Sequence, residues 1–212
     1  RRLTNSMSLP EGRSPFAGVP PSVDVLVTGP PLSDKTTLAH RRLAECADQA
    51  VVLTVHTPPA KLFDLFTDVG GDVRTLRVVD CSGTGDDVEN DRISLGDGPS
   101  NLTSAGVLTT SVVAEAEAAA GDGETVGVAV CSLSDLLTYH DAPRVCRFVD
   151  ALSHRLGNDG FVVGVLNDLM HDASTVDDVT AEFESVVETR TTDDGREMRV
   201  PDADGPSPWR SF

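Results

Sequence analysis

Val23-Asp24-Val25-Leu26-Val27-Thr28 runs directly into Gly29-Pro30-Pro31-Leu32-Ser33-Asp34-Lys35-Thr36-Thr37, and the reading of this stretch decides the fold. The first six residues are a short, β-branched, apolar run that meets a Gly-Pro-Pro turn, which is the pattern of a buried strand. Lys35 to Gln49 then reads as a helix, with Leu38, Arg42 and Cys46 spaced by four and Leu43 beside them. Strand, glycine-led loop and helix in that order are the setting of a phosphate-binding loop. Its backbone N–H groups wrap phosphate oxygens at a helix N-terminus, its lysine contacts the β and γ oxygens, and its hydroxyl holds Mg²⁺. The candidate nucleotide-contacting residues are therefore Gly29, Ser33, Asp34, Lys35, Thr36 and Thr37, with ATP and Mg²⁺ as the ligands they imply.

The loop departs from that pattern at two positions, because Leu32 and Asp34 stand where GPPGSGKT has its inner glycines. A side chain disfavours positive φ, and Asp34 sets a carboxylate beside the triphosphate. At about 4 Å and an effective dielectric near 20, that repulsion is on the order of 4 kcal/mol, roughly a thousandfold in affinity. Asp34 also reads as a helix N-cap. Hydrolysis further needs carboxylates at the ends of central strands, to hold Mg²⁺ and to orient water. After Val126 to Val130 comes Cys131, and after Ala50 to Val55 comes His56, so both acids are missing and no catalytic residue is assigned. A Cys131/His56 pair is a second chemistry, as nucleophile or metal ligands; a small residue closing a strand and a loop histidine are the ordinary readings.

Outward from the loop, strands and helices alternate. Ala50 to Val55 is a strand, Ala60 to Val69 a helix stopped by Gly70-Gly71, and Val73 to Val79 a strand. Cys81 to Ser100 is the longest irregular stretch and is expected to be a mobile loop. Leu102 to Ala120 reads as a long helix and Val126 to Val130 as a strand covered on both faces. Pro143 opens a helix running through Arg155, followed by a strand from Phe161 to Leu166. A helix near Val176 to Phe183 leads into Ser185 to Thr189 and Glu197 to Val200, joined through Asp193-Asp194-Gly195 as an antiparallel hairpin. The expected architecture is a three-layer α/β domain, with a mostly parallel sheet, helices on both faces and a C-terminal hairpin. Residues 1–21 read as a flexible leader, 22–200 as the domain and 201–212 as a polar tail whose Trp209 and Phe212 dock on the body or on a partner.

Composition sets the surroundings rather than the chemistry. The chain carries 34 acidic against 17 basic residues, for a formal charge of −17, and only Lys35 and Lys61 are lysine. Without a basic stripe, nucleic acid is an unlikely partner. In multimolar KCl the Debye length falls to roughly 3 Å, which suits such a surface. The expectation is cooperative unfolding as KCl is withdrawn, followed by far-UV circular dichroism; a signal unchanged in low salt would contradict it. Cys46, Cys81, Cys131 and Cys146 have neither CxxC spacing nor a secretory signal, so reduced thiols in a cytoplasm are expected. No apolar run approaches a membrane span.

Asn101-Leu-Thr-Ser-Ala-Gly, Cys131-Ser-Leu-Ser-Asp-Leu-Leu-Thr-Tyr-His-Asp, Phe148-Val-Asp-Ala-Leu-Ser-His-Arg and His171-Asp-Ala-Ser-Thr-Val follow one another in the order that resembles a RecA/KaiC-like P-loop family of haloarchaea with no assigned function. The resemblance spans Val23 to Val200. It implies ATP binding at Gly29, Lys35 and Thr36, hexamer or filament contacts, and a γ-phosphate-sensing place for His171-Asp172. Leu32, Asp34, His56 and Cys131 depart from the family pattern. The expected function is a non-hydrolysing or very slow regulatory module in a KaiC-like signalling system, with a protein partner or self-association. The alternative is an ATP-binding switch that retains Lys35 and Thr36.

Overall fold

The computed structural model describes residues 14–83, 90–202 and 205–212. Its main sheet has nine strands. In chain order these are β1 (Val25–Gly29), β2 (Gln49–Thr54), β3 (Leu76–Asp80), β4 (Ile93–Leu95), β5 (Val126–Val130), β6 (Gly160–Asn167), β7 (Ser185–Thr192) and β8 (Gly195–Arg199), with β11 (Arg210–Ser211) at one edge. Across the sheet the order is β11-β8-β7-β1-β6-β5-β2-β3-β4. From β7 to β4 every pairing is parallel, whereas β8 runs antiparallel to both β7 and β11. A two-stranded ladder of β9 (Pro201–Asp202) and β10 (Gly205–Pro206) lies between β8 and β11 in the chain. The predicted α/β class and C-terminal hairpin are what the structure has.

The central strands are continuous apolar runs because both of their faces are covered. In β1, Leu26 points into a core shared with α3 (Leu102–Ala119), α4 (Leu133–Tyr139), α5 (Ala142–Leu156) and α6 (Ala173–Thr180). Its neighbours Val25 and Val27 point into the opposite core, under α1 (Lys35–Cys46) and α2 (Pro59–Asp68). Strand β1 is clamped on both sides, with Val25 opposite Val163 in β6 and Ser185 in β7. Its carboxyl end is thus a point where chain order breaks, the place at which open α/β sheets form their ligand crevice.

Several boundaries moved for identifiable reasons. Helix α1 stops at Cys46 instead of Gln49 because the Asp48 and Gln49 amides bond Thr125 O and draw the chain into β2. The third strand begins at Leu76, since the Asp72 side chain caps a 3-10 turn over Val73–Thr75. The stretch 81–100 is not wholly irregular, because Ile93–Leu95 adds a parallel edge strand; the expected mobility of residues 84–89 lies outside the described residues. Helix α4 was not anticipated. Its seven residues bury Leu133 and Leu136 where a plain strand exit was expected.

Both ends of the described chain are tied down. Arg42, read from sequence as a helical residue spaced by four from Leu38 and Cys46, is fully buried; its Nη2 donates to Pro20 O at 2.5 Å and Pro21 O at 3.1 Å. Its guanidinium also stacks on Phe16 and Phe161, 5.3 and 5.2 Å from the ring centres. Trp209 docks on the body, beneath Arg190 at 4.2 Å and Arg199 at 4.6 Å.

Asp24, buried just before β1, accepts the Val162 amide at 2.6 Å. Burial pushes its carboxyl above the usual 3.8, against hydrogen bonds from Ser153 and Val162 that pull it down, with nearby Glu184 adding to the rise. A carboxyl raised on folding makes the fold bind protons that the unfolded chain releases, so stability falls as pH climbs above about 4. Asp24→Asn keeps an acceptor without the charge. Its melting temperature should exceed that of the parent at pH 7 by more than at pH 4.5; an equal gap at both pH values would refute this.

Candidate functional site

The loop between β1 and α1 takes up left-handed backbone where the sequence lacks the two inner glycines. Leu32 has φ 62° and Asp34 φ 58°, the left-handed conformation at the two positions where the sequence lacks glycine. For residues with a Cβ this conformation is disfavoured. What holds it is the β7–β8 hairpin, the parallel neighbour of β1. Arg196 pairs with the Asp34 carboxylate, and its Nε donates to Leu32 O at 3.3 Å. Ser33, fully buried, shares a 2.6 Å hydroxyl bond with Thr189, whose Oγ1 in turn donates to Thr28 O at 2.9 Å.

Asp34 occupies the N-cap position of α1, but in left-handed geometry and with no capping hydrogen bond from its side chain, so the N-cap reading of this residue is corrected. A cap needs extended backbone to aim its oxygen at the first-turn amides; Asp34's carboxylate is turned to Arg196 instead. Lys35 is buried and folds back on its own loop, with Nζ donating to Pro30 O at 2.5 Å and to Ser33 Oγ at 3.4 Å. Burial holds its ammonium below the ordinary 10.5, while the charge of Asp168, beyond β6, pulls the other way. Thr36 and Thr37 are half-buried in the first turn of α1, and Thr36 O lies 2.9 Å from Nδ1 of the buried His40. Leu32 is 85% exposed, so its side chain leaves the cradle rather than filling it.

At the carboxyl ends of β2 and β5 the structure replaces one expected pairing with another. His56 Nδ1 lies 3.0 Å from Asp135 Oδ2 in α4, whereas Cys131 packs into the core beside β1 and β6. Burial pushes the Cys131 thiol up to about 12. Burial opposes the thiolate that a nucleophile or metal ligand needs, and the described contacts pair His56 with Asp135 rather than with Cys131. Among the described residues no cluster of His, Cys, Asp and Glu is arranged to hold a metal. Arg196 and Thr189 were missed by sequence reasoning: no spacing links residue 196 to 34, and only the β1–β7 adjacency brings the hairpin to the loop.

Four buried polar atoms around the base of the loop have no hydrogen-bond partner: Thr28 Oγ1, Asn167 Oδ1, Asp168 Oδ1 and His171 Nε2. They belong to the ends of β1 and β6 and the turn that follows, where Gly29 lies opposite Asn167. His171 follows the 3-10 turn Asp168–Met170 that leaves β6.

The family model described as a family of unknown function, DUF7504, matches residues 23–189, from just before β1 into β7. The chain belongs to the DUF7504 family. No curated protein matches the DUF7504 chain. Among solved structures it is similar to an uncharacterized Pyrococcus horikoshii protein in complex with an unknown peptide, at 13% identity and TM-score 0.63 over 85% of this chain and 83% of that one. It is also similar to a KaiC-like protein of Pyrococcus horikoshii OT3, at 13% identity and TM-score 0.57 over 100% of this chain and 91% of that one. At such identities the likeness shows the fold alone, one shared with a KaiC-like protein. No helix among the described residues is long and apolar enough to cross a membrane.

The DUF7504 site fits a hydrolysed nucleotide with magnesium poorly. A buried thiol, its ionisation opposed by burial, stands at the β5 end, a histidine already held by Asp135 stands at the β2 end, and the loop brings a carboxylate, held by Arg196, instead of glycine.

Proposed function

We propose that the DUF7504 chain is a non-hydrolysing or very slow RecA/KaiC-like pseudo-ATPase, a cytoplasmic, salt-adapted regulatory module of a halophilic archaeon that works by protein contact. The observation that carries this reading is the loop satisfied by its own chain. Lys35 donates to Pro30 O and Ser33, and Arg196 takes the Asp34 carboxylate. A lysine engaged in this way must break buried bonds before it meets a phosphate, and each costs about 1–3 kcal/mol if left unreplaced. The edge also presents large apolar side chains to solvent, with Leu32, Leu169 and Met170 all exposed. Such side chains at a sheet edge are suited to protein contact.

The expected result of a phosphate-release assay in about 2–3 M KCl, the range that screens this surface, is no turnover above background. Clear turnover that Lys35→Ala abolishes would overturn the reading.

The four unpartnered polar atoms at the base of the loop favour a second reading, an ATP-binding switch that keeps Lys35 and Thr36. They would be satisfied by a polar ligand or by water. Calorimetry with ATP and Mg²⁺ in high salt separates the two: heat that Lys35→Ala removes supports the switch, and no heat at millimolar nucleotide removes it.

A further inference from the structure

We infer that the groove between α3 and α5 docks an acidic amphipathic helix of a partner protein. The depression encloses about 650 Å³ and lies away from the phosphate loop. Leu102, Phe148 and Leu152 line its floor, and Val107, 69% exposed, forms an apolar wall. His140 closes one end, its Nε2 2.9 Å from Pro99 O.

Two features define the chemistry of the groove. The first is charge. Arg144 and Arg147, three residues apart on α5, line the rim, and neither forms an ion pair among the described residues. Arg74, Arg155, Arg190, Arg196 and Arg199 each have a carboxylate partner. In a chain with twice as many acids as bases, two arginines on one rim with no carboxylate partner leave that rim locally positive.

The second is Gly106, inside α3. Glycine is disfavoured in a helix interior relative to alanine. A Cβ there would come no closer than 3.6 Å to the Phe148 ring, an ordinary contact, so packing does not demand glycine. Its missing side chain deepens the groove.

The occupant follows from both features. An apolar trough selects leucine-type anchors, and two unpaired arginines on its rim select carboxylates beside them. From Leu102 to Thr110 the helix rises roughly 12 Å, enough for anchors spaced i, i+3 or i+4, and i+7 on a docked helix. The inference does not depend on whether the loop binds nucleotide.

The test uses the full chain at the lowest KCl that leaves its far-UV circular dichroism unchanged. A fluorescein-labelled synthetic helix with leucines on one face and flanking glutamates is titrated by anisotropy, beside the same helix with lysines for glutamates. The glutamate helix should bind at least about tenfold more tightly. Arg144→Glu with Arg147→Glu should remove that preference, and Gly106→Leu should abolish binding while the melting temperature holds or rises. Should Gly106→Leu fail to fold, the double arginine variant still decides. Equal affinity for both helices, no binding of either, or binding indifferent to these substitutions would overturn the proposal. So would concentration-dependent self-association that Arg147→Glu abolishes, since the groove's occupant would then be a second copy. None of these outcomes bears on phosphate release or nucleotide heat, so the two proposals fail separately.

Discussion

Replacing Leu32 and Asp34 together by glycine is expected to raise affinity for ATP by up to about a thousandfold. Most of that gain should come from position 34. A carboxylate about 4 Å from a phosphate at an effective dielectric near 20 costs on the order of 4 kcal/mol. That figure is an upper bound here, because the Asp34 side chain is 33% exposed and Arg196 shares its charge. Removing the carboxylate also leaves Arg196 free to face the anion. Leu32 contributes little to repulsion, since its side chain points to solvent. Its cost is conformational: a left-handed non-glycine residue is strained by about 1–2 kcal/mol. Leu32→Gly alone should therefore leave affinity nearly unchanged and the melting temperature equal or slightly higher. Calorimetry of the two single variants and the double, in high salt with ATP and Mg²⁺, reads all of this. If Leu32→Gly alone carried the gain, the electrostatic account of the loop would be wrong.

Gly29→Ala should be the most damaging small substitution in the chain. Gly29 has φ 147°, and a Cβ on it would lie 2.5 Å from Thr189 O in β7, with the Thr189 hydroxyl nearer still. The hydroxyl could rotate or be trimmed away; the carbonyl belongs to the neighbouring strand and moves only if β1 and β7 part. Overpacking combined with unfavourable φ is expected to cost more than about 3 kcal/mol. At about 2–4 °C per kcal/mol for a chain of this size, that is a fall of roughly 6–12 °C in melting temperature. Thr189→Ala in the same background should restore little of it, because the backbone oxygen remains. A Gly29→Ala variant that melts with the parent would show that the loop is not held against β7.

Much of the architecture was legible because it rests on local patterns. Val25 to Val27, Val51 to Leu53, Val126 to Val130 and Phe161 to Leu166 are runs without a polar side chain, the composition of strands covered on both faces. The helices announced themselves through periodicity and through stops such as Gly70-Gly71. Helix α4 escaped because seven residues carry too little periodicity to separate a helix from a turn, and its reason for existing is tertiary: Leu133 and Leu136 fill the core over β6. Edge strand β4 escaped for a similar reason, since Ile93-Ser94-Leu95 becomes a strand only when β3 offers it hydrogen bonds.

The candidate site divides along the same line. Sequence alone located the loop, named Gly29, Ser33, Asp34, Lys35, Thr36 and Thr37, and showed which acids were absent, because each is a statement about residue type at a fixed offset from a strand. Only the tertiary structure decided that Leu32 projects outward, that Lys35 turns on its own carbonyl, that His56 pairs with Asp135 and not with Cys131, and that Arg196 reaches across to Asp34. Those contacts join residues up to 162 positions apart in a chain whose order within the sheet is not its order in sequence. Local propensity carries no record of which distant strand will lie alongside, so the lock on the loop came into view only with the sheet.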